Sequence, residues 1–186
     1  MTKIIFIIGG PGCGKGTQCE KIVNDFGFEH LSSGDLLRAE VASGSEAGRA
    51  LQETMAAGQL VSNETVLSLM KNKIDSTPNA KGFLIDGYPR TVEQGISFEE
   101  KVGAPTAVIY FEADEETLVA RLLHRAQTSG RADDNEVTIR SRLAVFSEQT
   151  VPVINHYKSK NIVHQLNSLR SIDEIYEDVK NIIHNL

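Results

Sequence analysis

The chain has 186 residues, of which 40% are hydrophobic and 24% are charged, and its formal net charge is −6. This length and composition predict a single folded domain with its own core, and they exclude a disordered chain. The negative charge argues against duplex DNA or an anionic membrane as the main partner, although it does not exclude a local basic site.

The sequence contains no candidate membrane anchor. Its longest purely aliphatic and aromatic run is Ile4–Ile8, far shorter than the ~20 residues of a membrane-spanning helix. The same run is too short for a signal peptide, and Thr2 is not the glycine that myristoylation requires. Cys13 and Cys19 are too few for a disulfide framework or a four-cysteine zinc site. We therefore expect a soluble cytoplasmic protein without a nucleic-acid or membrane partner.

Short apolar runs alternate with helical patterns along the chain, which is typical of a parallel sheet covered by helices. The predicted strands are Lys3–Ile8, Glu29–Leu31, Gly82–Asp86, Thr106–Phe111 and Ile162–Leu166. Apart from Glu29–Leu31, which is a short extra strand, these runs are mostly apolar rather than alternating, which indicates strands that are buried on both faces.

Apolar residues at helical spacing predict helices between and after the strands. The first such helix follows the capping residue Asn63 and has an apolar stripe at Val66, Met70 and Ile74. The second follows the capping residue Asp114 and has apolar residues at Leu118 and Leu122. The last has a C-terminal stripe that consists of Ile172, Ile175, Tyr176, Val179 and Ile183.

Two regions fit this alternation poorly, and we interpret both as mobile flaps. Residues 32–61 are typical of small helices inserted between strands, and Gln127–Asn135 is predicted to be a polar loop that contains Ser129 and Gly130. Segments of this kind commonly carry binding residues on a rigid scaffold.

A glycine-rich segment, Gly9–Thr17, follows the first predicted strand and opens a helix. Glycines let backbone N–H groups turn toward phosphate oxygens, and Lys15 reaches the β and γ phosphates at the helix N-terminus. Gly16 stands where the general pattern has Ser or Thr, so Thr17 supplies the hydroxyl that faces Mg²⁺, directly or through water. A turn without a ligand is the alternative, but strand, helix and lysine together favour a nucleoside triphosphate site.

The segment Asn72–Asp75 matches the N-K-x-D pattern that selects guanine in GTPases. It lies on the predicted helix that precedes a strand, whereas a guanine-binding motif should lie on a loop at the carboxyl end of a strand. We interpret this match as a solvated helix end without a role in binding.

Arginines are concentrated in one window of the sequence. Five of the nine lie within residues 121–142, where there is no lysine: Arg121, Arg125, Arg131, Arg140 and Arg142. Guanidinium groups make bidentate contacts with phosphate oxygens that an ammonium group cannot reproduce. The neighbouring Asp133, Asp134 and Glu136 leave open a solvated, ion-paired face as the alternative, and we assign Arg140 to such a face.

Two further arginines follow predicted strands. Arg38 lies in the first insert, and Arg90 ends the segment that begins at Gly82. Asp86 closes the strand within that segment, as a carboxylate that orients magnesium-bound water would. One arginine-rich site for two phosphate-bearing ligands explains this set better than a hydrolase does.

Five segments share an order and spacing with a known family: Gly9–Cys19, His30–Arg38, Gly58–Val61, Gly82–Arg90 with Gln94, and Thr128–Asn135. With them, nearly the whole chain resembles the nucleoside monophosphate kinases, and within these the short-lid adenylate kinases. The resemblance implies the reversible transfer of a phosphoryl group from MgATP to AMP, which gives two ADP by direct in-line displacement.

The resemblance also implies an α/β fold of the P-loop NTPase type, with a five-stranded parallel sheet covered by helices. Residues 1–186 would form one kinase domain, whose core comprises residues 1–31, 62–123 and 135–186. An insert, 32–61, would cover the nucleoside monophosphate, and a short lid, 124–134, would close over ATP. This lid is too short for the zinc-type cysteine set of long-lid relatives, so the implied cofactor is Mg²⁺, without zinc.

Individual roles on the AMP side follow from the same resemblance. Arg38 and Arg90 would hold the AMP phosphate, and Gln94 would read the adenine edge. The other implied AMP contacts are Ser33, Gln59, Leu60, Val61, Gly87, Tyr88, Pro89, Arg131 and Arg142.

On the ATP side, Arg121 would stack on the adenine and Arg170 would lie near the base. The loop contacts would be Gly10, Pro11, Gly12, Cys13, Gly14, Lys15, Gly16 and Thr17. The implied catalytic residues, which clamp the transferred phosphoryl group, are Lys15, Arg90, Arg125, Arg131 and Arg142. Thr17 and Asp86 would hold Mg²⁺ through water. The implied partners are ATP, AMP and ADP, and we expect a monomer because no apolar repeat is left over.

Several alternatives stay open at this stage. Ser33 stands where adenylate kinases usually have Thr and pyrimidine nucleotide kinases Ala, while Gln94 and Tyr88 favour an adenylate kinase over a UMP/CMP kinase. Arg170 stands where close relatives often have Gly. A signalling ATPase or GTPase, or a pure nucleotide-binding module, would leave the arginine set unexplained.

The sequence leaves two readings for Cys13. It either reacts with alkylating reagents, because nearby positive charge activates thiols, or fills the loop as a compact neutral residue. We interpret Cys19 as a core residue and His30 as structural. The other histidines, His124, His156, His164 and His184, lack ligand-like spacing, and we expect them at the surface.

Overall fold

Five parallel strands form the sheet around which this molecule is built. The computed structural model describes residues 2–131 and 133–186, so that Met1 in the predicted core and Ala132 in the predicted lid lie outside the described residues. The strands are β1 (Lys3–Gly9), β2 (Glu29–Ser32), β3 (Gly82–Asp86), β4 (Ala107–Glu112) and β5 (Val163–Asn167). Their order is β2-β3-β1-β4-β5, and every neighbouring pair is parallel. The α/β fold predicted from the alternating pattern is confirmed.

Helices connect the strands and cover the sheet. They are α1 (Lys15–Phe26), α2 (Ser33–Ala42), α3 (Glu46–Ala56), α4 (Asn63–Asp75), α5 (Val92–Lys101), α6 (Glu115–Ser129), α7 (Glu136–Val145), α8 (Val151–Lys158) and α9 (Ile172–His184). A π-helical turn at Phe146–Thr150 joins α7 to α8. Within the described ranges, none of these helices is long and apolar enough to cross a membrane.

The core lies on both faces of the sheet because the side chains of a strand alternate in direction. In β1, Ile5 and Ile7 belong to a cluster that includes residues of α1, α6 and α9. Phe6 and Ile8 belong to a second cluster on the other face, with residues of α4, α5 and α8. This double burial explains why the central strands are apolar throughout.

The topology brings several loops to one edge of the sheet. β1 lies in the middle, and the chain passes from it to β2 on one side and later to β4 on the other. In such open parallel sheets, ligands bind at the carboxyl ends of the strands, where the connections diverge. The glycine-rich loop after β1, Ser33 after β2 and Gly87 after β3 all lie at this edge.

The predicted cap of α4 is wrong by one residue. The N-cap is Ser62, whose hydroxyl accepts a hydrogen bond from the backbone N–H of Thr65. Asn63 is used differently, because its Oδ1 accepts a hydrogen bond of 2.9 Å from the buried hydroxyl of Tyr88. The predicted cap of α6, Asp114, is confirmed and accepts a hydrogen bond from the N–H of Thr117.

The predicted polar loop Gln127–Asn135 is also partly wrong. Helix α6 continues to Ser129 and ends at Gly130, which has a φ of +61°. Polar side chains do not by themselves stop a helix, whereas a glycine in the left-handed region does so readily. Helix α6 therefore extends three residues, 127–129, into the predicted loop.

Three predictions of burial are corrected by position in the fold. β5 was predicted to be buried on both faces. It is an edge strand instead, and Leu166 is its one buried residue. Ile172 begins α9 and is 51% exposed, although the remaining members of its stripe are buried. His156 is half-buried rather than fully exposed, because its ring packs edge-on against Tyr157 and its Nε2 is buried.

Candidate active site

A cavity of about 480 Å³ opens at the carboxyl edge of the sheet. Its walls come from the loops after β1, β2 and β3, from the insert helices, and from α6 and α7. The predicted site residues that line it are Pro11, Gly12, Gly14, Lys15, Gly16, Thr17, Ser33, Arg38, Gln59, Leu60, Val61, Asp86, Gly87, Tyr88, Pro89, Arg90, Gln94, Arg121, Arg125, Arg131 and Arg142. Residues far apart in the sequence thus share one space.

The glycine-rich loop has the geometry that a phosphate-binding loop needs. Gly12 and Gly14 have φ values of +83° and +93°, which residues with a Cβ rarely adopt. Lys15 folds back over the loop, where its Nζ donates hydrogen bonds to the carbonyl oxygens of Gly9 at 2.8 Å and Gly10 at 3.1 Å. Its positive charge is thereby held at the N-terminus of α1, so that both favour an anion at the same place.

Guanidinium groups converge on the opposite side of the cavity. Burial, together with the charges of Arg142 and Arg38, lowers the pKa of Arg90 to about 10. Burial also lowers the pKa of Arg142, and nearby Arg125 acts in the same direction. The pKa of Arg131 is lowered by burial and by Arg38 and Arg125. Like charges at this proximity repel one another, and a bound anion would relieve that repulsion.

Two aspartates hold part of this arginine cluster in place. Asp134, whose side chain is 1% exposed, accepts two hydrogen bonds from Arg125 and one from Ser129. Asp133 forms an ion pair with Arg142, with 2.8 Å between the carboxylate oxygen and the guanidinium nitrogen. Although burial opposes the effect, the hydrogen bonds from Arg125 and Ser129 lower the pKa of Asp134. Arg125 and Arg142 are thus oriented before any ligand arrives.

The part of the cavity near β3 is held together by hydrogen bonds among predicted AMP-site residues. The Ser33 hydroxyl donates to the carbonyl oxygen of Gly87 at 2.8 Å. Gln94 Oε1 accepts from the backbone N–H of Arg90 at 2.7 Å, and the Nε–H of Arg90 donates to Gly87. The Tyr88 hydroxyl oxygen, which also contacts Asn63, lies 2.9 Å from the carbonyl oxygen of Gln94. Arg90 and Gln94 therefore act as one positioned unit.

Asp86 ends β3 directly below the glycine-rich loop. Its Oδ2 lies 3.1 Å from Nε2 of His30, which belongs to the neighbouring strand β2. Both residues line the cavity, as does Thr17. A carboxylate and a hydroxyl at the phosphate end of the cavity are oxygen donors of the kind that Mg²⁺ prefers.

Three predicted ATP-site residues lie outside the cavity lining. Gly10 packs so closely against Leu118 that a Cβ would overlap that side chain, and Cys13 is only 2% exposed, with Sγ 3.6 Å from Lys15 Nζ. Arg170 points to α9, where it forms an ion pair with Asp178. Arg121, by contrast, lines the cavity and donates to the carbonyl oxygen of Ser168 at 3.0 Å.

Sequence reasoning missed several partners of the predicted residues. Asp35 accepts a hydrogen bond from Arg38 and lies 4.0 Å from Arg131, so it connects the insert to the far side of the cavity. The 3.1 Å contact between His30 and Asp86 was also missed, although their strands are neighbours in the sheet. Arg140 pairs with Glu136 at an exposed position, as predicted.

Comparisons with known proteins identify the family of this chain. A family model described as "Adenylate kinase" matches residues 7–162. Adenylate kinase isoenzyme 1 of Gallus gallus is 54% identical over 95% of this chain and 92% of its own length. The isoenzyme 1 of Homo sapiens is 53% identical over 96% and 92%. Adenylate kinase 1 of Drosophila melanogaster is 52% identical over 95% and 77%. The chain belongs to the adenylate kinase family.

Proposed function

We propose that this protein transfers a phosphoryl group reversibly from MgATP to AMP and forms two ADP by direct in-line displacement. The observation that carries the proposal is the convergence of Arg38, Arg90, Arg131 and Arg142 opposite Lys15 in one cavity. A site for one nucleotide does not need so many guanidinium groups facing each other. Two polyanions that meet end to end, with charge on the transferred group, do need them.

The chemistry requires positioning rather than a general base. The second pKa of a phosphate monoester is near ~6, so the attacking AMP oxygen is already largely ionised at neutral pH. The main barrier is then to bring two anions together in line and to stabilise the charge on the equatorial oxygens. Lys15, Arg90, Arg125, Arg131 and Arg142 supply that positive charge from different sides.

The residues present fit a magnesium ion at the phosphate end of the cavity. The Thr17 hydroxyl and the Asp86 carboxylate would hold it, through water in the case of Asp86. Bound there, Mg²⁺ would neutralise charge on the β and γ phosphates of ATP. His30 keeps the carboxylate of Asp86 in position through its 3.1 Å contact.

The two nucleotides would occupy opposite ends of the cavity. ATP would bind the glycine-rich loop and Arg121. AMP would bind between the insert and β3, with Ser33, Gln59, Leu60, Val61 and Gly87 to Arg90 around it and Gln94 at its base. The insert, residues 32–61, and the lid, residues 124–134, would close over them and exclude water, which would otherwise hydrolyse ATP. We further propose that the protein acts as a cytoplasmic monomer.

The test is a coupled assay of ADP formation from MgATP with AMP, CMP, UMP, GMP or no acceptor. We expect a strong preference for AMP and negligible release without an acceptor. The Lys15→Met variant should lose the activity while it keeps its fold, as checked by circular dichroism. Preference for CMP or UMP would overturn the proposed base recognition, and release without an acceptor would overturn the transferase assignment.

A further inference from the structure

Three side chains with different donor atoms meet below the glycine-rich loop. Cys19 comes from α1, His30 from β2 and Asp86 from β3. The thiol sulfur, a ring nitrogen and a carboxylate oxygen all lie within 4.8 Å of one another. Two of these atoms, Nε2 of His30 and Oδ2 of Asp86, are 3.1 Å apart. The group is thus assembled by the packing of one helix on two adjacent strands.

These spacings are close to those of a metal site. With bonds of ~2.3 Å to sulfur and ~2.0–2.2 Å to nitrogen and oxygen, the donors of a tetrahedral zinc ion lie roughly 3–4 Å apart. The most widely separated donors of this group, which are up to 4.8 Å apart, would therefore have to approach each other by about 1–2 Å. His30 and Asp86 have the freedom to do so, because their side chains are partly exposed to the cavity, with exposed fractions of 22% and 11%.

The chemistry of the donors decides which cation fits. A set of sulfur, nitrogen and oxygen suits a borderline cation such as Zn²⁺ or Co²⁺, whereas Mg²⁺ and Ca²⁺ take oxygen ligands. A cation would enter from the cavity, which both His30 and Asp86 line, and its fourth position would face that space.

We propose that Cys19, His30 and Asp86 form a binding site for one thiolate-preferring divalent cation of the Zn²⁺ class. The Cys19 sulfur, a ring nitrogen of His30 and one carboxylate oxygen of Asp86 are its three protein ligands. This site differs from a four-cysteine zinc site and from the lid site of long-lid relatives, since it lies under the nucleotide cavity and uses a single cysteine.

The protonated state of Cys19 opposes the binding of a cation at this site. Burial raises the pKa of the Cys19 thiol well above its usual range, and the charge of Asp86 acts in the same direction. The cation must therefore displace the thiol proton, which passes to solvent as the Cys19 sulfur–metal bond forms. This requirement makes the affinity lower than that of a structural zinc site.

The site has a consequence that rests on the proposed function. Asp86 would serve both cations, so a cation bound to Cys19 and His30 would draw the carboxylate away from the magnesium position. We expect Zn²⁺ to inhibit phosphoryl transfer for that reason, and excess Mg²⁺ to relieve the inhibition only in part.

The test is a titration of the nucleotide-free protein with Co²⁺, followed by optical absorption. Thiolate ligation produces a sulfur-to-cobalt charge-transfer band, and tetrahedral geometry produces intense d–d bands. We expect one equivalent to saturate both, and Zn²⁺ to bleach them. No thiolate band in the wild-type protein would overturn the proposal. Because no nucleotide is present, this outcome is independent of whether the proposed phosphoryl transfer is correct.

Matched cysteine variants locate the ligand. Cys19→Ser should abolish the charge-transfer band, whereas Cys13→Ser, which removes the other cysteine, should retain it. The reverse result would move the thiolate ligand to the glycine-rich loop and overturn the assignment. Since Cys19 is fully buried, folding of each variant is checked by circular dichroism. His30→Gln provides a second test on a cavity-facing residue, and we expect it to weaken Co²⁺ binding at least tenfold; unchanged affinity would contradict the site.

Discussion

The ligand-binding role proposed for Arg90 would come at the expense of stability. Its guanidinium is partly removed from water and faces Arg38 and Arg142, and burial with these charges lowers its pKa to about 10. A cation whose pKa is lowered by the fold is less favourable in the folded protein than in the unfolded chain. In the absence of an anion, Arg90 therefore opposes folding.

We expect Arg90→Met to stabilise the nucleotide-free protein while it impairs phosphoryl transfer. The change keeps a long side chain and removes the charge, so the free energy of unfolding should rise by about 1 kcal/mol. Transition-state stabilisation should fall by roughly 2–5 kcal/mol, as expected when a phosphate loses a desolvated charged partner. Urea unfolding and kcat/KM measure the two effects.

The matched control is Arg49→Ala, at an exposed position of the insert helix α3. It should leave both quantities nearly unchanged. If Arg90→Met only raised the KM for ATP, Arg90 would contact ATP and not the AMP phosphate, which would contradict its assignment.

Asp134 represents the opposite case, a charge that the fold stabilises. Its carboxylate is buried and accepts from Arg125 and Ser129. Asp134→Asn should lower the free energy of unfolding by about 2 kcal/mol, the scale of a buried hydrogen bond to a charged group.

Glu136→Gln is the matched control, because Glu136 and its partner Arg140 are both more than 60% exposed. We expect a change below about 0.5 kcal/mol there, and equal losses would contradict the argument.

The contribution of Asp134 should also depend on pH in a defined direction. Its pKa is lowered in the fold, so the stabilisation is present above the ordinary aspartate value of ~3.9. It is lost as the pH falls through the lower value of the folded state. The difference in unfolding free energy between wild type and Asp134→Asn should therefore be full at neutral pH and shrink in acid.

At the scale of elements, the packing of α2 against α3 depends on one glycine. A Cβ on Gly48 would overlap the carbonyl oxygen of Glu40 in α2. Alanine is favoured over glycine inside a helix by about 1 kcal/mol, so propensity alone would make Gly48→Ala stabilising. We expect the overlap to outweigh this and the free energy of unfolding to fall by about 1–3 kcal/mol.

Gly16→Ala is the matched control for stability, since Gly16 also lies in a helix and a Cβ there meets nothing within 4 Å. It should be neutral or stabilising in urea unfolding. Because α2 carries Arg38, Gly48→Ala should also raise the KM for AMP more than the KM for ATP. Unchanged stability of Gly48→Ala would show that α3 can shift away freely.

For some strands, the local sequence pattern is sufficient to predict their placement and burial. β1 and β3 are continuous apolar runs, and their placement and burial agree with the predictions from sequence. β5 differs from them, because His164, Gln165 and Asn167 are polar, and these side chains fit its position at the sheet edge better than the burial predicted on both faces. The end of α6 depended on Gly130 rather than on the polarity of Gln127 and Thr128, because backbone conformation ends a helix and side-chain polarity does not.

At the scale of the whole molecule, the cavity brings together like charges from distant parts of the chain. A phosphate-bearing ligand that neutralises them should stabilise the folded state by linkage. At a concentration hundredfold above its Kd, ATP should contribute about 2.7 kcal/mol and raise the Tm by roughly 5–10 °C in a protein of this size. Differential scanning fluorimetry measures this shift.

Adenosine is the control for this prediction, because it offers the base and ribose without phosphate. At the same concentration it should raise the Tm far less than ATP does. Equal shifts would mean that base contacts dominate binding and that the arginine cluster has another purpose.

The sequence by itself determined the fold class, the position of the glycine-rich loop and the set of arginines proposed to bind phosphate, because each depends on local spacing or on residue chemistry. The tertiary structure alone decided which partners those residues have. Asp134 buries itself against Arg125, Asp35 faces Arg131 across the cavity, and His30 contacts Asp86 from a neighbouring strand. It also placed Arg170 against α9 instead of in the cavity. Contacts between distant segments depend on strand order and helix packing. A local sequence pattern therefore does not predict which residues make them.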